Sequence, residues 1–241
     1  SKRIHLFVET AKRAYLDKNR YLADPRFVEV PLEKILSKSH GKELAETIEE
    51  TSVSFDSSLR PGDTTNFVVI DKDGNIVSAI QSLFHGFGSG LMDPKTGILL
   101  NSRASYFNLS GPNRLEPRKR PLHTLSSVIA ISEDDEILAI GTSGGDYRPQ
   151  QHVFLLTNII DYGLDLQTAV EMPRFLWNGK AEIIIEEGFR NLDDLKKIGH
   201  QPVVRGYPDG TGVAHCGVKK GKVAVLSADI RGDGLPAGPV S

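Results

Sequence analysis

Cysteine is almost missing from this 241-residue chain. Cys216 stands alone, so no intrachain disulfide and no zinc site built from paired cysteines can form. It reads as a small buried hydrophobe. Long apolar runs are missing too. None approaches the ~20 residues of a spanning helix, so no membrane insertion is expected. The opening Ser1-Lys2-Arg3-Ile4-His5 does not lead into a signal-peptide core. No targeting segment is expected within these residues, and the compartment stays open between cytoplasmic and exported. An excess of charge of one sign is also lacking. A net charge of −2 gives no electrostatic footprint for nucleic acid, and the local knot Arg114, Arg118, Lys119 and Arg120 reads as a solvated loop. Seven histidines are scattered without ligand-like spacing, so neither a metal nor a cofactor is expected. Asp71-Lys72-Asp73-Gly74-Asn75 puts its glycine too early for a calcium loop and has no closing Glu, so it reads as a hairpin turn. What remains is an ordinary globular composition, 39% hydrophobic and 25% charged, in a chain long enough to bury a sizeable core.

Apolar residues at helical spacing (Ile4, Phe7, Val8, Ala11, Ala14, Tyr15) predict a helix from residue 4 to about 23, stopped by Asp24-Pro25. A second runs on from Pro31 through Leu32, Ile35, Leu36, Leu44 and Ile48. From Thr51 to Asp63 the chain turns serine-, proline- and glycine-rich (Ser52, Ser54, Ser57, Ser58, Pro61, Gly62), the best internal boundary. Three hairpins are then expected: 67–70 with 76–83, 127–131 with 137–141, and 213–218 with 223–228. Strands are expected at 97–101 and 182–186, and helices at 149–162 and 189–198 ended by Gly163 and Gly199. Hairpin-joined strands with grouped helices predict an α+β fold whose sheets are mainly antiparallel.

Two patterns could carry chemistry. Gly141-Thr142-Ser143-Gly144-Gly145 fits the nucleophile elbow of an α/β-hydrolase, with Asp161 or Asp165 and His200 or His215 as partners in chain order. That fold needs parallel βα units, which the hairpins do not offer. The other is Thr64-Thr65-Asn66-Phe67, which opens a strand just after the flexible connection. Cutting Asp63-Thr64 would give Thr64 a free α-amine with a pKa of about 8, able to take the proton from its own hydroxyl.

These residues sit in a longer series. It comprises Thr64 to Phe67, Asp71 to Val77, Phe87-Gly88-Ser89-Gly90, Gly97 to Asn101, Lys119-Arg120-Pro121-Leu122, Gly144-Gly145, Asp161-Tyr162-Gly163 and Ala169 to Phe175. In order and spacing it resembles the γ-glutamyltranspeptidase family, and Ala11 to Ala14, Tyr21 to Phe27 and Val30-Pro31 resemble the end of that family's large subunit. The resemblance implies an N-terminal-nucleophile hydrolase with a four-layer αββα sandwich, cut by itself at Asp63-Thr64. Residues 1–63 would then end the large subunit and 64–241 form the small catalytic one. It implies attack by Thr64 on a γ-glutamyl or related acyl amide, with the α-amine as base. Ser82 would orient the nucleophile, and the N–H groups of Gly144 and Gly145 would form the oxyanion hole.

Where the family binds the α-carboxylate and α-amine of a glutamyl group, this chain has Phe84 and Tyr106. Arg103 replaces a nearby glutamine, and His123-Thr124 a serine pair. Phe84 cannot pair with an ionised group, whereas Arg103 could clamp a carboxylate. With Asp146 and Arg148-Pro149-Gln150, these departures resemble the acylase-like branch, similar to cephalosporin acylases, and favour hydrolysis over transpeptidation. A Ser143 hydrolase and a degenerate binding module are the rival readings. The expected partners are a small-molecule acyl amide, the missing large-subunit segment whose strands complete the sandwich, and a second processed heterodimer in a homo-oligomer.

Overall fold

A computed structural model describes residues 1–57, 59–209 and 211–238; Ser58 of the expected connection lies outside the described residues. In chain order the elements are α1 (Lys2–Tyr21), α2 (Leu32–Ile35), α3 (Lys38–Glu46), β1 (Asp63–Ile70), β2 (Ile76–Phe84), β3 (Ser127–Ile131), β4 (Ile137–Thr142), α4 (Arg148–Leu156), α5 (Leu166–Glu171), β5 (Phe175–Trp177), β6 (Glu182–Glu186), α6 (Leu192–Lys197), β7 (Gln201–Arg205), β8 (Ala214–Lys220) and β9 (Val223–Ala228). They form two compact units. One comprises residues 1–59, 102–123 and 175–205, and the other 60–101, 124–174 and 206–241. Asp63 and Thr64 fall in the same unit, so the expected cleavage point is not the spatial boundary.

In the first unit α1 buries Ile4, Val8, Ala11 and Tyr15 of the expected stripe, half-buries Phe7 and leaves Ala14 exposed. Phe7 meets Phe175 edge-on at 5.0 Å, and the Tyr15 ring lies 5.9 Å from Trp177. The three-stranded sheet runs β5-β6-β7, with β6 and β7 parallel across α6. Helix α1 also buries charge. Glu9 is held below its usual range despite burial, because Lys12 and Arg13 donate to it at 2.6 and 2.9 Å. Lys12 reaches on to Ser52 Oγ and the Val53 carbonyl, which fastens the segment after α3 to α1.

The second unit is layered. The β1–β2 hairpin packs on the antiparallel sheet β3-β4-β8-β9, and α4 and α5 cover the far face of that sheet. Leu138, Ile140, Leu155, Leu166, Val170, Ala214 and Cys216 form the core between sheet and helices. Alternation along β1 turns Thr64, Asn66 and Val68 toward the sheet and leaves Phe67 and Val69 about half exposed. Contact between the layers is close. Ser78 Oγ donates to the Ile140 carbonyl at 3.0 Å, and a Cβ on Gly217 would meet Val68 Cγ1 at 2.9 Å. Burial pushes the Cys216 thiol up to about 12, so it stays protonated.

Several expected elements change. The second helix breaks in two because Ser37 Oγ accepts from His40 N and caps a new start at α3; Pro31 stands at the N-cap of α2. No strand forms at 97–101, where the β1–β2 unit has only an isolated bridge between Met92 and Leu99. The helix expected over 149–162 starts at Arg148 and widens into a π turn over Thr157–Asp161 before Gly163. That expected from 189 shortens to α6. Strands β5 and β7 and helix α5 are too short for periodicity to reveal.

Candidate active site

The start of β1 is irregular. Asp63 pairs with Phe84 and Thr65 with Gln81, so Thr64 opposes two residues, Ser82 and Leu83, at a β-bulge. The bulge brings hydroxyls and a carbonyl into one chain of hydrogen bonds. Thr64 Oγ1 donates to Ser82 Oγ at 3.2 Å, and Ser82 Oγ donates to the Asp63 carbonyl at 2.6 Å. The Phe84 N–H also donates to Ser82 Oγ, at 2.9 Å. Phe84 itself is left-handed, with φ of 80°, a strain of about 1–3 kcal/mol for a non-glycine residue. The residue is buried, 1% exposed, and its Cδ2 would meet a Cβ on Gly62 at 3.2 Å.

Gly144 and Gly145 follow β4 with φ of 123° and 60°, conformations that require glycine. A Cβ on Gly145 would fall 2.5 Å from the Arg60 carbonyl and 2.6 Å from Gly62 N, so the segment before Asp63 lies directly on Gly145, whereas a Cβ on Gly144 would meet the Gln151 amide. Asp146 secures the segment from both sides. Its N–H donates to the Arg60 carbonyl at 3.0 Å and its carboxylate accepts from Arg60 N at 2.8 Å.

Arg148, fully buried at the start of α4, is a neighbour of Thr64 that sequence reading did not single out as a site residue. Its Nη2 donates to Thr64 Oγ1 and its Nη1 to the Thr124 carbonyl at 2.9 Å. Thr124 therefore enters through its backbone. An arginine three residues after the glycine pair, held by Pro149 at the helix start, is the signal that could have found it.

Other expected site residues lie in the first unit. Tyr106 is 5% exposed, its hydroxyl accepts from Lys18 Nζ at 2.7 Å, and Arg103 lies 5.6 Å from its ring. His123 is exposed. The Ser143 triad does not assemble. The sheet is antiparallel, and Ser143 Oγ accepts from Val213 N at 2.8 Å. Asp165 caps α5, His200 bonds His5, and His215 bonds Asn66. Folding does bring one ligand atom each of His5, Glu9 and His200 within 4.8 Å of one another, which their spacing did not reveal. Both imidazoles of that cluster are hydrogen-bonded and Glu9 is matched by two cations, so an ion would have to displace them. Within the second unit a cavity of about 630 Å³ opens beside Thr64, bounded by Asn66, His215 and the 232–237 segment.

A hairpin stacked on a helix-backed antiparallel sheet, with a threonine at the head of its first strand, is the α+β fold of the N-terminal-nucleophile hydrolases. The family model for gamma-glutamyltranspeptidase matches residues 1–238, and the chain belongs to that family. It is 37% identical to the glutathione hydrolase-like YwrD proenzyme of Bacillus subtilis, over 97% of this chain and 47% of that protein. It is 32% identical to the oxamate amidohydrolase proenzyme of Klebsiella pneumoniae, over 98% of this chain and 47% of that protein. Among solved structures, cephalosporin acylase from Bacillus halodurans superposes with a TM-score of 0.82 at 28% identity, over 99% of this chain and 45% of that one. The chain spans about half the length of the curated relatives it matches.

Proposed function

We propose that this chain supplies the nucleophile of an autoprocessed amidohydrolase, with Thr64 attacking first its own Asp63 carbonyl and then the carbonyl of an acyl amide. The observation that carries the reading is the hydrogen-bond chain from Thr64 through Ser82 to the Asp63 carbonyl. It is a proton path. As Thr64 Oγ bonds to the Asp63 carbon, its proton passes to Ser82 while the Ser82 proton moves to the carbonyl oxygen, giving a neutral tetrahedral centre. Breaking the C–N bond, with the proton returned to nitrogen, leaves an ester and a free Thr64 amine. Water then releases the Asp63 carboxyl group.

In turnover the new α-amine takes the Thr64 proton, the amide carbon forms an ester with Oγ, and the leaving amine departs with that proton. Gly144 and Gly145 serve as the oxyanion donors once the segment over Gly145 is released. The substrate is a γ-glutamyl or related acyl amide, with hydrolysis preferred to transfer. Mass spectrometry of the full-length precursor tests the reading. A fragment beginning at Thr64 is expected, absent in Thr64→Ala, together with turnover of glutathione, γ-glutamyl-anilide or glutaryl-amide. An uncut but active enzyme would falsify it.

A further inference from the structure

We infer that Arg148 is a catalytic residue whose guanidinium directs the Thr64 hydroxyl and carries the charge that develops on its oxygen. The inference rests on the reading of Thr64 as nucleophile. Its starting point is the asymmetry of the hydrogen bonds. A guanidinium has five donors and no acceptor. Where Arg148 Nη2 meets Thr64 Oγ1, the threonine oxygen must therefore accept. The Thr64 proton is left pointing at Ser82 Oγ, and the Ser82 proton at the Asp63 carbonyl. Reversing the chain would aim the threonine proton at a cation. Arg148 at one end and the Asp63 carbonyl, which can only accept, at the other thus set a single direction in which the row of hydroxyls relays a proton.

The guanidinium is itself held in place. Nη1 is fixed on the Thr124 carbonyl, and the planar fork carries that orientation to Nη2. Pro149 pre-sets the first turn of α4, and the left-handed Gly144-Gly145 step leads into it. The same sequence that shapes the glycine pair therefore places the cation on the nucleophile. During turnover the Thr64 proton passes to the α-amine while Oγ forms its bond to the amide carbon. Charge builds on Oγ before that bond is complete, and the bond from Arg148 strengthens in step with it. Such an interaction is larger in the transition state than in the ground state, so its loss appears in kcat rather than KM.

The test uses the full-length precursor carrying Arg148→Gln, Arg148→Lys or Arg148→Ala, with Thr64→Ala alongside. Precursor cleavage is followed by mass spectrometry, turnover with a chromogenic glutaryl or γ-glutamyl anilide, and folding by thermal unfolding. Arg148→Gln is expected to slow cleavage and lower kcat by about a hundredfold, with KM changed by less than about threefold. Arg148→Lys should regain roughly tenfold of that loss, and millimolar ethylguanidinium should restore part of the kcat of Arg148→Ala. Normal cleavage with kcat within about threefold in Arg148→Gln overturns the inference. So does a loss confined to KM, or one that follows a fall in melting temperature and that neither lysine nor ethylguanidinium relieves. If Thr64→Ala still cleaves and turns over, the reading of the nucleophile fails; if it is inert while Arg148→Gln is unimpaired, only the role of Arg148 fails.

Discussion

Two buried arginines in the second unit have different surroundings. Arg174 donates to the carbonyls of Gly212 and Val170 and to the Asp229 carboxylate. Asp229 in turn accepts from Ala214 N and from Arg231. This corner ties the end of α5 to β8 and to the chain after β9 through a carboxylate and backbone oxygens, groups with no chemistry to perform. Arg148 is as deeply buried, yet one of its donors is spent on a side-chain hydroxyl at the head of β1. A buried cation placed on a carboxylate holds a fold together, whereas one placed on a hydroxyl alters that hydroxyl. The difference lies in the partner, because the arginines are chemically the same.

Breaking each corner should separate the two roles. The largest expected effect on stability is at Arg174. Replacing it with Met leaves Asp229 buried beside one cation fewer, and removal of one partner of a buried pair typically costs about 3–5 kcal/mol. Denaturant unfolding of Arg174→Met should show that loss, while the protein that remains folded still cleaves at Asp63-Thr64. A loss under about 1 kcal/mol would make the corner a surface-like pair and erase the contrast.

The next effect is smaller in energy and appears in rate. Ser82→Ala removes the donor to the Asp63 carbonyl and the acceptor for Thr64 while leaving β2 in place. Precursor cleavage is expected to slow by about tenfold to a hundredfold, with stability changed by about 1 kcal/mol. Ser82→Thr, which keeps the hydroxyl, should cleave at close to the native rate. Cleavage of Ser82→Ala at full speed would remove the proton path from the reading.

How much of this was legible in the sequence depends on whether a feature is local. The α1 stripe, the three hairpins and the strand opening at Thr64 are fixed by periodicity and turn chemistry over short windows, and they stand where the sequence puts them. The strand expected at 97–101 fails because alternation alone cannot say whether an edge finds a partner. β5 and β7 escape because each is short: β5 pairs with the next strand over only three residues, and β7 finds β6 across α6. The glycine pair was visible as a pattern, but not the Arg60–Gly62 segment lying on Gly145. Arg148 was visible as a residue without a role, since its contact with Thr64 spans 84 positions. The His5, Glu9 and His200 cluster was hidden the same way, with the two imidazoles 195 positions apart.

The smallest effect tests the charge of Arg148 from behind. His152 lies on α4, bonded to Thr142 Oγ1 at 2.8 Å, and its pKa is depressed to about 4, first by burial and then by the nearby Arg148 charge. An unfolded histidine titrates near 6.5. Above that pH the ring is neutral in both states and contributes no pH dependence. Between about 6.5 and 4 the unfolded chain binds a proton that the native state refuses, so stability falls as pH falls, by on the order of 3 kcal/mol, and levels off below the native value. His152→Gln should flatten that slope. In Arg148→Gln the burial remains and only the charge goes, so the His152 resonance, followed by NMR, should titrate higher by a fraction of a pH unit and the stability loss should shrink accordingly. An unmoved titration would mean that the Arg148 charge does not reach one turn along α4, leaving its influence confined to the hydroxyl it touches.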